Sequence, residues 1–114
     1  VADLLPDSNP SKPLGLRFIN EYEKVHGKNS ANQFAAHSFD AYLVLEKVVP
    51  MALKKAKPGT KEFRTALKDA LESMGRTPVS QGVLNYTPAD HFGFTPDTGV
   101  LLTVVNGDWK VVPN

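Results

Sequence analysis

From Asn32 to Ala56 the sequence reads NQFAAHSFDAYLVLEKVVPMALKKA, the longest apolar-rich run in the chain. Whatever this protein folds into must bury a large part of it. Polar and small residues open the run, AYLVLEKVV thickens it, and lysines close it. Ala35, Phe39, Tyr42, Leu45, Val49 and Leu53 recur at steps of three and four, which predicts one face of a helix. Val44 and Val48 widen that face, so the helix is expected to be covered on more than one side. Asn32, or Ser30 just before it, is suited to cap the start. Pro50 has no backbone donor and its ring crowds the preceding turn. A kink near Glu46–Pro50, or a break into two helices, is therefore expected.

Elements on either side can be read in the same way. Pro6, Pro10 and the turn formers Asp7, Ser8 and Asn9 predict an extended leading segment over residues 1–12. Pro13 suits the first turn of a helix. Leu14, Phe18, Tyr22 and Val25 continue that helix as one apolar stripe, which Gly27 ends. Lys57-Pro58-Gly59 breaks the second helix, and Thr60 can cap a third. There, Phe63, Ala66, Leu67, Ala70, Leu71 and Met74 follow helical spacing up to Gly75. The pattern then changes. Gly82 to Thr87 reads as a short strand, and residues 88–99 read as a loop rich in Pro, Gly and Asp. Val100 to Val105 and Asp108 to Val112 read as a hairpin around Asn106-Gly107, with Trp109 and Val111 alternating against Lys110.

The fold class is thus an α/β fragment, three or four helices followed by a short strand and a β-hairpin. Three short strands make a poor sheet alone, and a hairpin is marginal unless it packs on something. With no strands between the helices, the missing ones are expected in chain beyond this sequence, or two copies complement each other. The incomplete sheet and its open edge predict a homo-oligomer.

Composition narrows the function classes. With 41% hydrophobic and 22% charged residues, the 114-residue chain is ordinary for one small folded domain. A formal charge of +1 offers no reason to expect nucleic acid or an anionic membrane as a partner. The absence of cysteine excludes disulfides, thiolate nucleophiles and Cys-type zinc sites. No apolar run is long enough to span a bilayer. Val1-Ala2-Asp3 does not open a secretory signal, and there is no initiator Met, so a processed or longer product is expected.

Chemistry-bearing residues are few. His26, His37 and His91 form no HExxH or His-x-His pair, so neither a metal nor a cofactor is called for. His26, beside Gly27, reads as a cap at a helix end. His37 lies in the first turns of the central helix, either hydrogen-bonded in packing or facing a ligand. Asp40, three residues on, is placed to hold its imidazole. A small hydrolase using His37 and Asp40 is the enzymatic alternative. It has no nucleophile, because Ser38 faces another way. Phe34, at the helix start and before the thick apolar region, is the aromatic best placed to line a cavity. Phe39 and Tyr42 read as core. Asp90-His91-Phe92-Gly93 reads as a structured turn. Lys54, Lys55 and Lys57 read as a solvated helix end. No P-loop, Rossmann glycine signature or nucleophile elbow is present.

Several of these features stand in a familiar order. A helix of pattern F-x-x-x-Y-x-x-x-x-G spans Phe18 to Gly27, and a small-residue helix start leads to Phe39-Asp40-Ala41. An amphipathic helix runs from Glu62 to Met74. The strand Gly82 to Tyr86, the T-P-x-D-H-x-G loop from Thr87 to Gly93, and a closing hairpin with Asn-Gly follow. From Leu14 to Val112 this resembles the C-terminal part of periplasmic solute-binding proteins of the branched-chain amino acid ABC-transporter type. The resemblance implies the type I periplasmic binding fold, two α/β lobes with ligand held between them, of which this chain would be the last third. It implies no enzyme activity, a periplasmic location, an ABC permease as partner, and amino acids or related small organic solutes as ligands. Because the T-P-x-D-H-x-G loop also occurs in relatives that bind aromatic acids or amides, aromatic solutes belong to the expected range. By the same resemblance the start of the central helix lies near the cleft, making Phe34 and His37 the expected ligand contacts. A ligand-binding sensor domain of the same fold is the alternative role.

Overall fold

The largest side chains withdrawn completely from water are Val48 and Val79, and the fold is built around them. The computed structural model describes residues 2–112. Three helices, α1 (Lys12–His26), α2 (Gln33–Leu53) and α3 (Lys61–Ser73), precede four short strands. The strands β1 (Thr77–Val79) and β2 (Gly82–Leu84) form one antiparallel hairpin. A second antiparallel hairpin is made by β3 (Leu102–Val105) and β4 (Asp108–Val111). Helices followed by two small antiparallel sheets match the expected order. The strand expected over 82–87 is shorter and is not isolated, because Thr77-Pro78-Val79 pairs with it.

Local chemistry sets the ends of the helices. Asn32 has extended backbone and its Oδ1 accepts from Ala35 N at 3.1 Å, capping α2. Thr60 does the same for α3, accepting from Phe63 N at 3.1 Å. Gly27, at φ 92°, closes α1 and donates its N–H to Glu23 O. Within residues 2–11, where an extended segment was expected, Ala2–Leu4 forms a 3-10 turn and further turns lead into α1. Asn9 helps to tighten this region, its Oδ1 accepting from Ser11 N.

Pro50 does not break α2, which continues to Leu53 as one helix. Pro50 lies in the last turn, so its missing donor costs one intrahelical bond and only three residues of helix remain beyond it. The buried face of α2 also differs from the expected one. Ala36, Asp40, Val44, Val48 and Ala52 are buried, at steps of four. Tyr42, Leu45 and Leu53, expected in the core, are each about half exposed. The reason is the direction from which α3 and the β1–β2 hairpin approach. They meet the Val44–Val48 side, leaving the flank at Tyr42 and Leu45 uncovered.

The core joins Val44, Val48, Ala70, Met74, Val79 and Leu84, with Leu67, Leu71, Tyr86 and Phe94 packed at its margin. It is thin for the length of chain. The accessible surface is 7801 Å², where a self-contained domain of this mass would expose about 6100 Å². The radius of gyration is 16.5 Å, against about 13 Å for a compact domain of this length. The β3–β4 hairpin contributes to both excesses. Its Asn106-Gly107 turn has both residues at positive φ, as a two-residue hairpin requires. The cross-strand pairs Leu102–Val111 and Val104–Trp109 share one face, which remains largely in water.

Replacing Val48 by Ala should lower the free energy of unfolding by about 2 kcal/mol, through lost burial and the space left behind. Val104→Ala, on the exposed hairpin face, should change it by no more than about 0.5 kcal/mol. Urea unfolding followed by far-UV circular dichroism compares the two, and equal losses would contradict this placement of the core.

Candidate functional site

The start of α2 presents the two side chains that sequence reasoning singled out. Phe34 sits in the first turn and is 83% exposed. Its carbonyl accepts from Ser38 Oγ at 3.3 Å, and its ring has no aromatic neighbour among the described residues. His37 stands three residues on, on the neighbouring part of the helix surface. Its ring meets Phe94 edge-on, with centroids 6.5 Å apart. Its Nε2 lies 3.4 Å from Gln33 Nε2. The Gln33 amide thus reaches one ring nitrogen of His37, and the other is left toward its surroundings.

His37 also borders a groove of about 560 Å³ between α2, α3 and residues 84–94. Its walls include Val44, Leu45, Leu71, Leu84, Tyr86 and Phe94, and His37, Lys68, Glu72 and His91 supply polar groups. Phe34 is not among the residues lining it. The two expected contacts are therefore close along the helix but face different surroundings, His37 the groove and Phe34 open solvent.

Asp40 does not hold His37. It is buried, and its oxygens accept from the backbone of a distant turn: Oδ1 from Ser80 N at 2.7 Å and Oδ2 from Gln81 N at 3.1 Å. A hydrolytic pair of His37 and Asp40 is thereby excluded in this arrangement. Among the described residues no hydrogen bond joins the two side chains, and both Asp40 oxygens serve the turn instead. His26 stacks with Tyr22, ring centroids 4.3 Å apart, and the closing bond of α1 is made by Gly27 instead.

The loop after β2 is a structured turn, as its residues suggested. Thr87 N and Asp90 N exchange bonds with each other's carbonyls, and Asp90 Oδ1 accepts from Phe92 N at 2.9 Å. Gly93, at φ 80°, lies so close to the Tyr86 ring that a side chain there would strike it. The turn swings His91 toward α3, where its Nε2 is 3.0 Å from Glu72 Oε1. Lys68 Nζ reaches Glu72 Oε2 at 2.8 Å and Asp69 Oδ1 at 2.7 Å. The Lys68 ammonium holds the Glu72 carboxyl below its ordinary value, with His91 adding to the effect and desolvation opposing it. Sequence reasoning missed this cluster. Its one local signal is the Lys68–Glu72 spacing of four, whereas His91 arrives from a remote turn. Among the described residues no group of three His, Asp or Glu is placed to hold a metal ion.

Three helices carrying two small antiparallel sheets, with an apolar groove left open beside them, match part of a two-lobe ligand-binding receptor. In sequence and fold the chain is similar to a portion of extracellular ligand-binding receptors. One such receptor, from Rhodopseudomonas palustris HaA2, is 46% identical with a TM-score of 0.88. The match covers 98% of this chain and 31% of that one. A second, from Rhodopseudomonas palustris, is 45% identical with a TM-score of 0.87 and the same coverage. A more distant receptor from the HaA2 strain is 31% identical, with a TM-score of 0.84 over 97% of this chain and 31% of its own. The chain thus spans about a third of the length of the receptors it matches. No family model and no curated protein matches it. The matched proteins are ligand-binding receptors rather than enzymes, and their extracellular character agrees with the expected periplasmic location. Among the described residues no helix is long and apolar enough to cross a membrane.

Acidification should disturb the Glu72 cluster in a defined direction. A carboxyl with a depressed folded value contributes stability above the pH where it titrates in the unfolded chain, and loses it as pH falls through the folded value. Carboxyl-detected NMR titration should place the Glu72 midpoint below that of a free glutamate, and Lys68→Met should raise it. No movement on removing Lys68 would show that the ammonium is not the cause.

Proposed function

We propose that this chain is part of the extracytoplasmic solute-binding component of an ABC importer. The complete protein would close two lobes over an amino acid or a related small organic solute, aromatic acids included. The observation that carries the proposal is the similarity, over nearly the whole chain, to extracellular ligand-binding receptors. Capture of this kind is reversible closure and breaks no covalent bond.

Phe34 and His37 are proposed as this chain's ligand contacts. A phenyl ring left 83% exposed at a helix start is unfavourable in isolation. Covering it on closure would contribute roughly 1.5–3 kcal/mol. His37 adds a ring that can both donate and accept, which suits a carboxylate or an amide. Most of the contact surface would come from the remainder of a receptor, so the 114-residue chain alone should bind weakly or not at all.

Calorimetric titration of the complete gene product with a panel of amino acids and aromatic acids tests this reading. Phe34→Ala should weaken the bound solute at least about tenfold, as expected for a central aromatic anchor. Unchanged affinity in both Phe34→Ala and His37→Ala would remove these residues from the site. Micromolar binding by the 114-residue chain alone would argue that the remaining two thirds are dispensable. The same exposed apolar surface leads us to expect self-association of the isolated chain. Size-exclusion chromatography with light scattering should show species larger than a monomer, and a clean monomer would count against it.

A further inference from the structure

Asp40 is 5% exposed, yet among the described residues no cation pairs with it. A buried carboxylate persists only where hydrogen bonds replace its water. Two backbone N–H groups do so, those of Ser80 and Gln81, which form the turn between β1 and β2. Two further bonds run between the same helix and the same hairpin. Gln81 Nε2 donates to Gln33 O at 2.9 Å, and Lys47 Nζ donates to Thr77 Oγ1 at 2.7 Å. Gln33, Asp40 and Lys47 stand seven residues apart in turn, so they lie along one stripe of α2. From the other side, Ser11 Oγ donates to Gly82 O at 2.8 Å. Gly15 lies close enough to the Ser80 carbonyl that an added Cβ would meet it at 3.4 Å. The turn is therefore gripped between α1 and α2.

This grip falls at the end of α2 that carries Phe34 and His37. Gln33, whose carbonyl the turn holds, is adjacent to Phe34 in sequence and meets the His37 ring through its own side chain. We propose that Asp40 and Gln81 are positioning residues, a latch that makes the β1–β2 turn and the first turns of α2 one rigid unit. In that unit Gln33 orients the His37 ring, and the backbone at Phe34 is held before any solute arrives. Side chains set in place beforehand lose less freedom when a ligand is bound. The benefit to binding rests on the proposed contact role of Phe34 and His37, whereas the latch itself rests on the bonds described.

Amide hydrogen exchange in the 114-residue protein, read by NMR, tests the latch. Asp40→Asn preserves volume but leaves one acceptor and turns an NH2 group toward the other amide. Ser80 or Gln81 should then exchange roughly tenfold faster, and Ala36 and His37 should follow, while Ala66 and Ala70 in α3 keep their protection. A role in packing alone would be satisfied by the asparagine. If Asp40→Asn also frees Ala66 and Ala70, the fold has been lost and Gln81→Ala decides instead. That change removes the bond to Gln33 and should move the His37 imidazole 15N shifts from their wild-type values, with the Ser80 amide unaltered. Wild-type exchange at residues 33–37 together with wild-type His37 shifts in the folded variants would overturn the proposal. A latch that behaves as described, alongside unchanged solute affinity in Phe34→Ala and His37→Ala, would refute the contact reading and leave the latch standing.

Discussion

Withdrawal of Val48 and Val79 from water is the interaction on which the arrangement depends, because it joins the longest helix to the first strand. Small residues let the neighbouring elements close in: Ala52 is fully buried, and Ala66 and Ala70 nearly so. The resulting core holds α2, α3 and the β1–β2 hairpin together but reaches little further. Burial therefore accounts for one side of α2 and leaves its Tyr42 and Leu45 flank without cover. The surplus of surface over a self-contained domain has the same origin. The chain spans about a third of the length of the receptors it matches, and apolar side chains left without cover mark a surface suited to contact.

Polar contacts do the aligning that so small a core cannot. Hydrophobic contact is non-directional and would tolerate sliding of the hairpin along α2. Bonds from Gln33, Asp40 and Lys47 fix that register at separate heights along the helix. On the other wall of the groove, Lys68, Glu72 and His91 tie the loop after β2 to α3. Exposed ion pairs of this sort contribute little to stability. Their effect is to decide where the loop lies.

The legible parts of the fold were those encoded over short distances. Helical spacing located α3, the Asn32 and Thr60 side chains marked helix starts, and Asn106-Gly107 marked the hairpin turn. The strand Thr77–Val79 was missed because three residues with a central proline carry no readable alternation. Pro50 left a kink or a break open, because a proline's effect depends on its position within the helix, which the residue itself does not state; α2 does not break there. Residues at both helical spacings populate α2, and only the arrival of α3 decides that Val44 and Val48 face inward. At the start of α2, Phe34 and His37 stand out in the sequence, and of the two only His37 borders the groove. Asp40 was noticed but given the wrong partner, since local spacing suggested His37 and its real donors lie forty residues away.

One consequence concerns the hairpin that stands clear of the core. Trp109 is the chain's single tryptophan and sits, 60% exposed, on the open face of β4. Its fluorescence is therefore insulated from the packing of Val48 and Val79. The emission of this protein reports the solvation of one peripheral ribbon, and a shift to the blue would signal that something has come to rest on it.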